Sequence, residues 1–144
     1  MKRLFAAILL AAPLLANGSI LSAQEIKPVF VVRPPGTSAA TLPRREALRR
    51  GQALFSDKRL STSDTSCASC HADLQAFNDS FRRPYPHPVQ MAKDMSGLES
   101  VNAETMVQFC MLVPMAAQPF TWDSADLAAL TAYVEKLRID FAAR

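Results

Sequence analysis

Charge, cysteine and β-type alternation are all in short supply in this sequence, and each shortage removes a class of protein. Lys+Arg number 16 against 13 Asp+Glu, a formal net charge of +3. That excess is too mild to argue for nucleic acid as a partner. Three cysteines are too few for a small secreted scaffold that substitutes disulfides for a core. No strand pattern, internal repeat or low-complexity tract rises above the background. The chain has 144 residues, one domain's worth, with no room for a dinucleotide-binding domain beside a substrate domain. Disorder is excluded as well, because 49% of the residues are hydrophobic and only 20% are charged. The odd cysteine count remains to be explained, since any pairing of two leaves a third.

Residues 1–23 read as a secretory signal. Lys2 and Arg3 form its positive start, Leu4 to Leu15 an apolar run broken only by Pro13, and Ala16 to Ala23 a small-residue stretch with cleavage expected between Ala23 and Gln24. The run is short of the ~20 residues a bilayer span needs. Pro13 and Gly18 also spoil a long helix, so no stable membrane span is expected after cleavage. Removal leaves 121 residues carrying 14 basic and 13 acidic side chains, a net charge of +1. The expected location is exported, in the periplasm. There an unpaired thiol needs a reason to persist.

Residues 24–43 carry Pro28, Pro34, Pro35, Pro43 and Gly36, the composition of an extended arm or tether and not of a core element. The domain proper is expected over residues 44–144. A first helix starts behind Pro43, with Ala47, Leu48, Gly51, Leu54 and Phe55 on one apolar face and Arg44, Arg45, Arg49 and Arg50 over much of the rest. Gly51 on that face costs a helix ~1 kcal/mol, which suggests that another backbone approaches closely there. A second helix is expected from Asn102, a good N-cap residue, to Leu112, with Met106, Phe109, Cys110 and Val113 on one face. A last helix begins near Ser124 and carries Leu127, Leu130, Val134 and Leu137, with Tyr133 beside them. Residues 61–66 and 77–88 read as loops. Three or four short helices bury little apolar surface unaided, and a large internal prosthetic group would complete the core.

Cys67-Ala68-Ser69-Cys70-His71 supplies that group. It is C-x-x-C-H, the haem-attachment sequence: two thiols two residues apart can add to the two vinyl groups of a porphyrin, and the next side chain offers imidazole to iron. The expected cofactor is one covalent haem c on Cys67 and Cys70, with His71 as the proximal iron ligand. A thioredoxin-like pair would want a βαβ pattern, and a zinc site a second ligand pair. Neither is present.

With this motif behind a Gly- and Phe-bearing first helix, and Leu130 and Tyr133 on the last, residues Arg44 to Leu137 resemble the small class I cytochromes c. The resemblance implies an all-α fold in which the N- and C-terminal helices cross around one covalent haem. Three candidates compete for the other face of the iron. Met115 lies in the loop where class I cytochromes place a thioether ligand, Cys110 is the leftover thiol, and His87 would make a bis-histidine site. Phe109-Cys110-Met111-Leu112-Val113-Pro114-Met115, then Gln118-Pro119 and Ser124 to Val134, also resemble the Cys-ligated haem domain of dihaem thiosulfate dehydrogenases. They are similar as well to the haem-bearing large subunit of the Sox sulfur-oxidation system, and the Arg83-Pro84-Tyr85-Pro86 loop looks like that of the thiosulfate dehydrogenases. That likeness implies Cys110 as the distal ligand and Met115 as a spectator. Core packing accounts equally well for either residue.

Electron transfer by a monohaem cytochrome, with redox proteins as partners, is the leading expectation. Sulfur chemistry at Cys110, with thiosulfate or a related sulfur anion held by Arg82 or Arg83, is the alternative, and a gas or redox sensor a third. A single C-x-x-C-H argues against a self-contained dihaem enzyme.

Overall fold

The computed structural model describes residues 25–144; the expected signal segment 1–23 lies outside the described residues. Among the described residues the regular elements are helices: α1 (Arg44–Phe55), α2 (Cys67–His71), α3 (Gln90–Ser96), α4 (Ala103–Leu112) and α5 (Ala125–Ala142), joined by loops with short 3-10 turns. The only β-type pairing among them is an isolated antiparallel bridge between His87 and Val101. This is an all-α chain, as the periodicity indicates.

The crossing of α1 and α5 frames the domain. Ala47, Gly51 and Phe55 are the buried residues of α1, one every fourth position. Leu127, Ala129, Leu130 and Leu137 are those of α5. The helices meet at Gly51, where an added methyl would lie 2.6 Å from Tyr133 Cβ and 2.8 Å from the Ala129 carbonyl carbon. Only a residue without a side chain lets the backbones come this close. The ring of Phe55 meets that of Tyr133 edge-on at 5.4 Å, and Arg50 closes the end of the contact with a 2.6 Å ion pair to Asp126. Ser124 caps α5 by accepting from the Leu127 N–H at 3.2 Å.

Helix α4 is more central than a single apolar stripe suggests. Asn102 caps it, its Oδ1 accepting from the Thr105 N–H at 2.7 Å. Beyond the cap, Ala103, Thr105, Val107, Gln108, Phe109 and Met111 are all buried, a set that runs around the helix instead of along one face. Gln108 has no exposed surface. Its amide donates to the Phe120 carbonyl at 2.7 Å and accepts from the Phe120 N–H at 3.0 Å. A side chain that satisfies one residue's backbone in both directions can be buried without an unpaired group.

Two elements depart from the sequence reading. Helix α3 was not expected; Gly97, left-handed at φ 70°, ends it. The arm is also no free tether. Val31 is fully buried and packs in a cluster with Ala92, Val101 and Phe109, flanked by Ile26. The Ile26 N–H donates to the Met95 carbonyl at 2.7 Å, and Arg33 forms an ion pair with Glu104 of α4 while its guanidinium lies 5.4 Å above the Trp122 ring. The arm's backbone is not uniformly extended either: Pro28 opens a short 3-10 turn (Pro28–Phe30), and the Pro34 carbonyl accepts from the Thr37 N–H at 3.3 Å, while single side chains fasten the segment to the domain.

Candidate cofactor site

Helix α2 is little more than one turn, and that turn arranges the motif. Positions i, i+3 and i+4 of a helix share a face, so Cys67, Cys70 and His71 are presented together. The turn is fixed at its start, where the Ser66 N–H donates to Ser69 Oγ at 2.9 Å. The two variable positions of the motif therefore include the residue that locks it.

Beyond His71 the backbone doubles back through Asp73, Leu74 and Ala76, all at positive φ between 53° and 62°. This reversal sets the Gln75 carbonyl 3.1 Å from His71 Nδ1. With Nδ1–H donated there, the lone pair of the neutral ring resides on Nε2, the arrangement found in metal-bound histidines. Burial also lowers the pKa of His71 from its ordinary value, favouring the neutral ring. Among the described residues the other non-glycine positions at positive φ are Asp64, three residues before the motif, and Ala116, next to Met115. Backbone in this region costs about 1–2 kcal/mol per residue, and such strain gathers at ligand sites.

The six predicted cofactor and iron residues, Cys67, Cys70, His71, His87, Cys110 and Met115, all line one cavity of about 360 Å³. Its other walls are largely apolar and aromatic. His71 stacks on Phe77 at 4.1 Å, Phe77 on Phe81 at 3.9 Å, and Tyr85 on His87 at 4.2 Å. None of the three cysteines is in a disulfide. Burial pushes the Cys67 thiol up to about 11 and the Cys110 thiol up to about 12.

Met115 is held from behind. Ser61 Oγ donates to its carbonyl at 2.5 Å, and Thr62 Oγ1 to the Ala116 carbonyl at 3.0 Å. Its Sδ lies 3.9 Å from Cys67 Sγ. His87 is 2% exposed, and neither ring nitrogen has a hydrogen-bond partner. The backbone of Arg83 and Pro84 passes beside the ring without completing a bond.

Arg82 and Arg83 are not in the lining. Arg82 instead donates to the Phe141 carbonyl at 3.1 Å and covers the Phe141 ring. Both side chains are exposed, Arg82 engaged by α5, while the charge of Arg83 reaches His87 in the lining. The Ser61–Thr62 latch, Gln108 and the aromatic wall carried no assigned role in the sequence. Only Phe77, Phe81 and Tyr85, four residues apart, had a legible spacing.

These residues suit a porphyrin. Two thiols and an oriented imidazole come from one helix, the walls are apolar and aromatic, and a buried imidazole on the lining still lacks a partner. No three His, Cys, Asp or Glu side chains among the described residues converge on a bare metal ion, which leaves the zinc reading without a ligand set.

Residues 50–138 match the model of the SoxA/TsdA cytochrome c domain. The chain belongs to that family. Comparison with curated proteins and with solved structures gave no match. As a SoxA/TsdA-type cytochrome c domain, it is of a kind that carries covalently bound haem c. No helix among the described residues is long and apolar enough to cross a membrane.

Proposed function

We propose that this protein is an exported, periplasmic electron-transfer cytochrome of sulfur oxidation, with one haem c on Cys67 and Cys70, His71 as proximal ligand and Cys110 as distal ligand. When bound, the haem supplies a one-electron iron couple. The chain attaches and orients it, shields it from water and sets its potential.

The position of Met115 carries the choice of distal ligand. Its Sδ is 3.9 Å from Cys67 Sγ, and Cys67 anchors the rim of the ring. Held this near an attachment thiol, Met115 would pack beside the edge of a bound porphyrin. The bond from Ser61 fixes the Met115 backbone in this place. Cys110, on α4 and in the same lining, is left as the sulfur for iron. A thiolate pushes electron density to iron and favours the ferric state, giving a lower potential than a methionine partner would.

Family membership favours sulfur chemistry at Cys110 as a second reading. The lining argues against a self-contained enzyme of that kind, since it contains no lysine or arginine to hold an inorganic anion. Electrons would pass to and from partner proteins. The signal pattern of residues 1–23 supports export, and the single C-x-x-C-H supports one haem.

Electron paramagnetic resonance of the ferric protein tests the assignment. Low-spin thiolate signals are expected that vanish in Cys110→Ser and persist in Met115→Leu; a near-infrared methionine-to-iron band in the wild type would refute it. Thiosulfate is expected not to reduce the isolated protein. Thiosulfate-dependent reduction that is lost in Cys110→Ser would move the protein into the enzyme class.

A further inference from the structure

The cavity contains a group that neither attachment nor iron ligation uses. His87 is 2% exposed with both ring nitrogens unpaired. It cannot easily turn outward, because its backbone N–H and carbonyl pair with Val101 at 3.1 Å each and its ring lies flat on Tyr85 at 4.2 Å. Buried polar groups without partners are rare and call for an explanation. On the wall of a ligand cavity, the natural explanation is a partner that belongs to the ligand.

Charge narrows the choice of partner. A haem carries two carboxylates on the side of the ring away from its vinyl groups. Cys67 and Cys70 take the vinyls. His87 is bonded to Val101, a member of the apolar cluster that includes Ala92 and Phe109, and its ring stacks on Tyr85, which packs against the same cluster as Cys67. No lysine or arginine lines the cavity, so apart from His71, His87 is the one lining side chain able to carry positive charge.

We propose that His87 anchors a haem carboxylate. The ring nitrogen that carries the proton donates to the carboxylate. His87 is thus a positioning residue: it fixes the ring in its plane and withdraws negative charge from the neighbourhood of the iron.

The inference rests on the haem c reading, and the two fail separately. A wild-type protein that matures without covalent haem, seen in its pyridine haemochrome spectrum, overturns the reading itself before any variant is made. In the loaded protein, His87→Leu is expected to lower the reduction potential. It should also move the propionate bending band in resonance Raman to its unbonded frequency, with loss of that band's shift in D₂O. His87→Gln keeps an amide N–H and is expected to restore most of both. The reduced wild type, labelled with ¹⁵N-histidine, should show a slowly exchanging, far-downfield His87 ring proton, a measurement that needs no variant. An unchanged potential and band in His87→Leu, or absence of that proton, overturns the proposal. So does a change of axial ligation in His87→Leu, which would make His87 an iron ligand. A shift that appears only with added sulfite would make it a site for external anions, and equally overturns the proposal.

Discussion

Gly51→Ala is the smallest change that tests how this domain is framed. The added methyl would lie 2.6 Å from Tyr133 Cβ and 2.8 Å from the Ala129 carbonyl carbon. Both belong to α5 close to its axis, so no side-chain rotation relieves the overlap and the helices must move apart. Forcing a methyl into a packed contact costs about 1–3 kcal/mol, and a clash with backbone belongs at the upper end. Alanine recovers about 1 kcal/mol of helix propensity. The net expectation is a loss of about 2 kcal/mol. For a domain of this size that is a fall in Tm of roughly 8 °C, at about 4 °C per kcal/mol. Guanidinium unfolding of the haem-loaded protein, followed by far-ultraviolet circular dichroism, measures it. A variant as stable as the wild type, or more stable by the propensity term, would show that α1 and α5 do not meet at Gly51.

Two further changes probe the supports of the site. Gln108→Leu removes both bonds to Phe120 and leaves a backbone N–H and carbonyl unpaired. At about 1–3 kcal/mol for each such group, the loss in denaturant stability should be about 2–6 kcal/mol. An undiminished midpoint would mean that the Phe120 backbone finds other partners. Asp57 provides a test by pH. Its carboxylate is held down to about 2, first by the side-chain bond from Arg59 and then by that residue's backbone N–H. A depressed carboxylate contributes stability above its ordinary pKa near 4, and the contribution is lost as pH falls through about 2. Nuclear magnetic resonance titration should follow Asp57 to that low value, and Arg59→Ala should raise it; a wild-type midpoint near 4 would contradict the bond.

Much of the fold was legible where several local signals coincide. Helices α1, α4 and α5 each combine a boundary residue (Pro43, Asn102 or Ser124) with apolar residues at helical spacing, and tertiary packing agrees with both. Helix α2, at five residues, is too short for periodicity to register. Helix α3 follows a run of three prolines that masks its start, although Gly97 marks its end. The arm was misread because Val31 is a single anchor, and one residue has no period. Cys67, Cys70 and His71 were legible because the attachment chemistry itself fixes their spacing. The distal side was not, because it depends on Met115 lying against Cys67, 48 positions away in the chain. Nothing in the sequence records a contact of that range.

The anchored arm also has a consequence for how the domain ages. Residues 35–39 between it and α1 are exposed, so the segment bearing Val31 and Arg33 behaves as a ligand on a short leash. Its effective concentration at its own seat is on the order of millimolar. A single proteolytic cut in that leash would turn an intramolecular contact into an encounter between two molecules at whatever concentration the compartment holds. The freed peptide would leave Phe109, the neighbour of Cys110 in α4, with one face uncovered. One cut at the surface would then reach the wall of the cofactor cavity without touching any residue that lines it.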